Sequence, residues 1–358
     1  MEKQHKKHRI LFTGGGTTGH VMKNLILIEE LDSAQPHVDI HYAGLSSGKE
    51  AELIDQKKVT FHPVSSGKLR RYFDVQNFVD FFRFLRGTWQ SFWLVRRIKP
   101  NVVFSSGGFV ALPVAIGAWM NGVPVVSHET DSYPGLANRL IAKFAKKICL
   151  GFQSAEQYLP VEKVVYTGNP ISPALLEADG NRGLDSVSFP YTTPTLLVTG
   201  GSQGAQQINN LVLEILPKLV ESYQIIHLTG KGKATGFEDK KYREFEYVTD
   251  QYASFLAAAD VVLTRSGGSV SEIEALGKRA IMIPLPAEVA AGDHQRKNAE
   301  EMVKRQSDWI MLDSATVSSD QLLKAIQKAF QESSKDANNP SALEPQNRII
   351  ELLGEYLK

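Results

Sequence analysis

The sequence predicts an α/β fold made of two doubly wound halves, each a parallel sheet covered by helices on both faces. Three observations predict it. A strand-length apolar run, a glycine-rich turn and a helical pattern follow one another at 9–31 and again at 196–212. Elsewhere, apolar runs alternate with helical patterns, as parallel strands joined by crossover helices require. The chain of 358 residues is long for one domain and comfortable for two.

Composition narrows the class. Hydrophobic residues make up 42%, enough for sizeable cores. The single cysteine, Cys149, excludes an internal disulfide framework and fits a reducing compartment. The basic start MEKQHKKHR is not followed by a signal-peptide core, because the next apolar run breaks at Gly14. The net charge of +1 hides a split. Residues 1–170 hold 21 Lys and Arg against 14 Asp and Glu, and the remainder hold 19 against 25. Such a dipolar chain predicts that one half meets an anionic surface. Overall neutrality argues against nucleic acid as a partner. Acidic residues do not cluster at metal-ligand spacing, so no metal cofactor is predicted.

In chain order, Arg9–Thr13 reads as the first buried strand and Gly14–His20 (GGGTTGH) as a glycine turn. The helix that follows runs through Leu25, Ile28 and Leu31. A lone histidine is more often structural, but His20 stands where the helix begins, at the mouth of a glycine loop, and is a candidate base. Asp39–Gly44 and Val59–Val64 read as strands. Lys68–Lys99 interleaves aromatics with basic residues, and the spacing Phe78, Phe81, Phe82, Leu85 marks one helix face that Phe84 cannot share. Two readings stay open for it: a core helix with a solvated basic face, or an apolar and cationic face lying on an anionic membrane surface.

Val102–Ser127 contains no charged residue, which raises a transmembrane alternative. Gly107, Gly108, Pro113, Asn121 and Pro124 punctuate the run. The better reading is strand (Val102–Phe104), glycine loop (Ser105–Phe109), helix (Pro113–Met120) and strand (Val123–Ser127). Ser106, Gly107 and Gly108 then form a further anion-competent loop. His128 and Glu129 fall at the C-terminal end of a strand, where parallel sheets bind ligands. A helix over Leu136–Ala145 and a strand in Lys146–Phe152 follow, and Val164–Ser172 closes the first half.

Gly180–Thr195, rich in Gly, Asp, Ser and Pro, reads as the linker zone. Leu196–Thr199 opens the second half as a buried strand. Gly200 and Gly201 turn the chain, and a helix beginning near Ala205 offers unpaired N–H groups and the positive end of its dipole to a phosphate. Ser202 and Gln203 can add side-chain donors. Strands are predicted in Tyr223–Gly232, Phe245–Asp250, Asp260–Gly268 and Ala280–Pro286. Helices are predicted from Phe255, over Ser271–Gly277, after Gly292, over Leu322–Phe330 and over Asn347–Leu357. Glu272 either complements its own helix dipole or accepts hydrogen bonds from ribose hydroxyls.

Two such halves facing one another resemble the glycosyltransferase B (GT-B) architecture, and the motifs are closer to one family. They are TGGGTTGH (13–20), SSGGFVALP (105–113), PVVSHETDSYPGLANRL (124–140), TGNP (167–170), GGSQGA (200–205), TGKG (229–232), RSGGSVSEI (265–273) and HQRKNA (294–299). Over essentially its full length the chain resembles the MurG family, bacterial transferases that add GlcNAc to lipid I to make lipid II. The resemblance implies two Rossmann-like domains facing a cleft. An acceptor- and membrane-facing domain would span 1–178, joined by a C-terminal helix at 341–358, and a UDP-sugar domain would span 190–340. It also implies UDP-GlcNAc as donor, a lipid-linked diphosphate as acceptor, peripheral attachment to the cytoplasmic face of the membrane through 68–99, and a cell-wall synthesis complex as partner.

Carried over by position, Gly200, Gly201, Ser202, Gln203 and Gly204 would meet the UDP phosphates, Glu272 the ribose, and Gln295 and Asn298 the sugar. Thr17, Thr18, Gly19, Ser106, Gly107, Gly108 and Asp131 would hold the acceptor. His20 or Glu129 would be the base of an inverting single displacement. The chain departs from the family pattern at Thr18, usually glycine, at Asp131, usually an amide, and at Ser172, usually an arginine near the diphosphate. It also carries Met22-Lys23-Asn24 where a proline is common. Lys231 or Arg265 is left to supply the missing cation. These departures also suit a paralogous transferase acting on another lipid-linked saccharide, or a catalytically silent sugar-nucleotide-binding scaffold. A UDP-GlcNAc 2-epimerase has similar architecture but no need of the basic aromatic segment.

Overall fold

The computed structural model describes residues 8–46, 49–55, 59–67, 76–201, 203–286, 293–331 and 345–357. They belong to two compact units, one of Met1–Pro170 with Leu343–Lys358 and one of Ile171–Ala342.

The first unit runs β1 (Arg9–Thr13), α1 (Thr18–Ala34), β2 (Asp39–Gly44), α2 (Lys49–Asp55), β3 (Thr60–Pro63), α3 (Gln76–Ile98), β4 (Val102–Ser105), α4 (Ala111–Met120), β5 (Val125–Glu129), α5 (Leu136–Phe144), β6 (Lys147–Leu150) and β7 (Val164–Tyr166). Its strands are all parallel, in the order β3-β2-β1-β4-β5-β6-β7. The winding reverses between β1 and β4, and open parallel sheets bind ligands beyond the strand ends at such a reversal. Register Thr13↔Ser105 sets the loops after β1 and β4 side by side, and Ser106 N–H donates to Thr13 O at 3.0 Å. Phe12, Tyr42 and Phe104 fill the core beneath them. The start of the turn out of β1, Gly14 and Gly15, is buried, so its carbonyls need partners. Tyr42 O–H donates to Gly14 O at 2.6 Å, and Asn24 Nδ2 donates to Thr13 O at 3.1 Å.

The aromatic segment resolves into an outward face and an inward one. Lys68–Val75, with their basic and aromatic side chains, lie outside the described residues. On α3 the inward side carries Phe84, Leu94, Val95 and Ile98. Phe78, Phe81, Phe82 and Leu85 face outward, Phe78 by 73%. Farther along the helix α3 and α4 pack closely: a Cβ on Gly117 of α4 would come within 2.8 Å of Ser91 and of the Phe92 backbone. No helix among the described residues is long and apolar enough to cross a membrane.

The second unit runs α6 (Pro173–Leu176), α7 (Gly180–Ser186), β8 (Thr195–Thr199), α8 (Gln206–Ser222), β9 (Gln224–Leu228), β10 (Tyr242–Phe245), α9 (Tyr252–Ala258), β11 (Val261–Thr264), α10 (Val270–Ala275), β12 (Arg279–Met282), α11 (His294–Arg305), β13 (Ile310–Met311) and α12 (Ser319–Gln331). Its parallel sheet has the order β10-β9-β8-β11-β12-β13, the same winding as the first. Finally α13 (Pro345–Gly354) packs Ile349 and Leu353 into the core of the first unit.

Two expectations are corrected here. Gly180–Thr195 is not all linker: α7 buries Leu184 and is capped by Asp179 Oδ1, which accepts from Asn181 N–H at 2.9 Å. The strand expected over Phe245–Asp250 instead occupies Tyr242–Phe245. Buried Tyr242 makes the difference, since its hydroxyl meets His227 Nδ1 of β9 at 2.9 Å.

Candidate active site

In the first unit the site grows from the reversal point of the sheet. α1 starts after Thr17 with no side-chain cap and no acidic residue in its first turn, so its terminal N–H groups and dipole remain available to an anion. Gly15 N–H reaches Gly107 O at 3.4 Å, tying the two glycine loops together. Gly108 must be glycine, because its φ is +83° and a Cβ there would run into Gly15 O. Ser106 Oγ is fully buried, has no hydrogen-bond partner among the described residues, and lies where a Cβ on Gly14 would be. Such a hydroxyl is available to a ligand oxygen.

His20 sits over these loops. Its Nδ1 lies 2.7 Å from Ser106 O, and since a carbonyl only accepts, Nδ1 carries a proton and, in the neutral ring, Nε2 carries the lone pair. Burial lowers the His20 pKa, while the bond to Ser106 and the charge of Asp131 act against the shift. His20 is therefore neutral near pH 7 and competent as a base.

Glu129 is differently placed. It is 2% exposed, and both oxygens accept hydrogen bonds: Oε1 from Asp131 N–H at 2.9 Å, Oε2 from Asn138 Nδ2 at 2.8 Å. Burial pushes its pKa up, Asp131 adds to that, and the donors oppose it. Its neighbour His128 donates from Nε2 to Gly168 O at 3.1 Å and is held down to about 4, first by burial and then by the charges of Lys23 and His20. Lys23, buried on α1, donates from Nζ to Pro170 O at 2.8 Å.

In the second unit α8 likewise begins after Ala205 with no side-chain cap and no first-turn acid. The preceding loop is pressed backbone to backbone on the turn at 229–232: Gly204 has φ +67°, and a Cβ there would run into Thr229 O. Lys233 Nζ donates to Gln203 O at 2.8 Å, whereas Lys231 is exposed. Arg265 is buried and donates to Ile283 O at 2.8 Å and Gln207 Oε1 at 3.2 Å. Asn298 Nδ2 donates to Ser266 O at 3.2 Å, Ser266 Oγ to Gln295 O at 2.6 Å, and Leu285 N–H to Gln295 Oε1 at 2.9 Å. Glu272 Oε2 accepts from Tyr252 O–H at 3.0 Å. Positions Gly267 and Gly268 beside it open onto free space.

Of the residues singled out from sequence, the first unit thus gathers Thr17, Gly19, His20, Ser106, Gly107, Gly108, Glu129 and Asp131 around one pair of loops. The side chain of Thr18 and the whole of Ser202 lie outside the described residues. The second unit brings Gln295 and Asn298 to Ser266, two residues before Gly268. Sequence reasoning missed Lys233, Asn138 and Tyr252. Lys233 immediately follows a turn already noted, but nothing in the sequence says which lysine folds back. Tyr252 is twenty residues from Glu272 and carries no spacing signal.

Comparison with known proteins agrees with this layout. Residues 10–150 match the glycosyltransferase family 28 N-terminal domain and residues 195–353 its C-terminal domain. The chain is 42% identical over 355 residues to the UDP-N-acetylglucosamine–N-acetylmuramyl-(pentapeptide) pyrophosphoryl-undecaprenol N-acetylglucosamine transferase of Legionella pneumophila (strain Paris), covering 97% of this chain and 96% of that one. Among solved structures it is similar to MurG of Acinetobacter baumannii, with TM-score 0.74, 22% identity and coverage of 97% and 99% of the two chains. It is also similar to CalG4, the calicheamicin glycosyltransferase, with TM-score 0.70, 14% identity and 98% coverage of each. The structural likenesses show the GT-B fold. With both family 28 domains in order and close identity sustained from end to end, this chain belongs to the MurG family.

Proposed function

We propose that this protein moves GlcNAc from UDP-GlcNAc to lipid I, undecaprenyl-diphospho-MurNAc-pentapeptide, to give lipid II. The observation that carries this reading is 42% identity over 97% of the chain to a relative named for that transfer. The loop geometry supplies the chemistry. The acceptor diphosphate lies on the loops at Gly14–Gly19 and Ser106–Gly108, against the uncapped start of α1. The donor diphosphate lies on the Gly200–Ala205 loop at the start of α8. His20 Nε2 takes the proton of the acceptor hydroxyl, which attacks the anomeric carbon from the face opposite UDP and inverts it. Charge developing on UDP is stabilised by the α8 N-terminus and the nearby Lys233 ammonium. Glu129, buried and hydrogen-bonded by Asp131 N–H and Asn138 Nδ2, orders the Asp131–Asn138 segment, and the proton is assigned to His20, which sits over the glycine loops.

The outward face of α3 rests on the membrane. Its exposed Phe78, Phe82, Trp89 and Trp93 lie among Arg83, Arg86, Arg96 and Arg97, the combination that suits an anionic lipid surface. The test is transfer of labelled GlcNAc to a short-chain lipid I analogue with chelator present. Inverted product, lost in His20→Gln, is the expected result. UDP-GlcNAc binding without transfer to this acceptor would overturn it in favour of another lipid-linked saccharide, or of a silent binding protein if a panel of acceptors also failed.

A further inference from the structure

We infer that Tyr252 is a positioning residue for donor binding, its hydroxyl holding the Glu272 carboxylate toward the ribose. This rests on the reading of Glu272 as the ribose acceptor. Glu272 lies in the first turn of α10, a helix of only six residues. A first-turn carboxylate has an alternative use close by, turning back onto its own helix's free N–H groups. The structure shows a different partner: Tyr252 O–H donates to Oε2 at 3.0 Å. Tyr252 is the first residue of α9, which is anchored by buried Phe255 and Leu256, so the hydroxyl is presented from a fixed support. One bond to Oε2 leaves Oε1 and the second lone pair of Oε2 to accept from two neighbouring hydroxyls. The free space over Gly267 and Gly268 lies on the loop leading into this helix. Burial and the adjacent carboxylate push the Tyr252 phenol well above its ordinary pKa, so it remains a donor at any working pH.

The experiment is a double-mutant cycle on the full-length protein, with Tyr252→Phe, Glu272→Ala and the pair. UDP-GlcNAc affinity is read by calorimetry, and kcat and KM by transfer. Losing one hydrogen bond to a charged group predicts roughly a five- to tenfold rise in Kd and KM for Tyr252→Phe, with kcat within about twofold. In the Glu272→Ala background, Tyr252→Phe should add nothing. The ratio of affinities for UDP-GlcNAc and its 2′-deoxyribose analogue should also shrink in Tyr252→Phe, a change that loose packing of α9 would not produce. Normal affinity in Tyr252→Phe, or full additivity in the pair, overturns the inference while leaving Glu272 in the site. Unchanged affinity in Glu272→Ala removes the ribose reading and the inference with it.

Discussion

Asn138 Nδ2 donates to Glu129 Oε2 at 2.8 Å and to His128 O at 3.2 Å, so one amide from α5 holds the carboxylate and the backbone at the end of β5. Removing it strands a buried acceptor. Asn138→Leu should cost about 2–3 kcal/mol in urea unfolding. Glu129→Gln should also lower stability, because its amide group would face N–H donors on both sides. A Glu129→Ala protein as stable as wild type yet inactive would make Glu129 the base instead.

As the proposed base, His20 should set the pH dependence of transfer. Its pKa lies below 6.5 because burial penalises the charged ring. The neutral ring is the active form, so kcat/KM should be flat above pH 6.5 and fall as pH drops through the lowered pKa. His20→Gln should lose roughly 100-fold or more in kcat. A midpoint of the acid limb above 6.5 would exclude His20 from this role.

Lys233 Nζ is bonded to Gln203 O of the loop proposed to hold the donor, whereas Lys231 is exposed. Lys233→Met should raise KM for UDP-GlcNAc about fivefold or more, since it removes a charge-assisted bond that orders the loop. Lys231→Met should change it little. Equal effects from both would mean a general charge contribution only.

Acid should destabilise the fold through its buried neutral histidines. His128 and His227 titrate at about 4 in the folded chain against 6.5 unfolded, both chiefly through burial. Between those values the unfolded chain binds more protons, so their contribution is complete above pH 6.5 and is lost as pH falls toward 4. Urea midpoints should decline across that window, and His227→Gln should flatten the decline.

Phe82→Asp with Trp89→Asp on the outward face of α3 should abolish binding to vesicles of anionic phospholipid. Turnover of a short-chain, soluble acceptor should persist. Undiminished vesicle binding would remove α3 from the membrane contact.

Much of this was readable from the chain alone. Arg9–Thr13 and Asp39–Gly44 are strands at the bounds their apolar runs mark, and the loops after β1, β4 and β8 announce themselves by glycine. A buried parallel strand and a backbone turned through positive φ are local necessities, written in apolar runs and glycines. What the sequence left open depends on contacts between distant residues. Which side of α3 faces inward was decided by the core it packs on, through Phe84, Leu94, Val95 and Ile98, and β10 lies where buried Tyr242 meets His227 of β9. No spacing in the sequence says that Asn138 and Asp131 bond the Glu129 oxygens, or that Tyr252 reaches Glu272. The family, the fold and the loops followed from sequence because they are carried by runs of neighbours. The surroundings of single side chains were decided by tertiary structure, because what a carboxylate or an imidazole touches depends on residues far off in the chain.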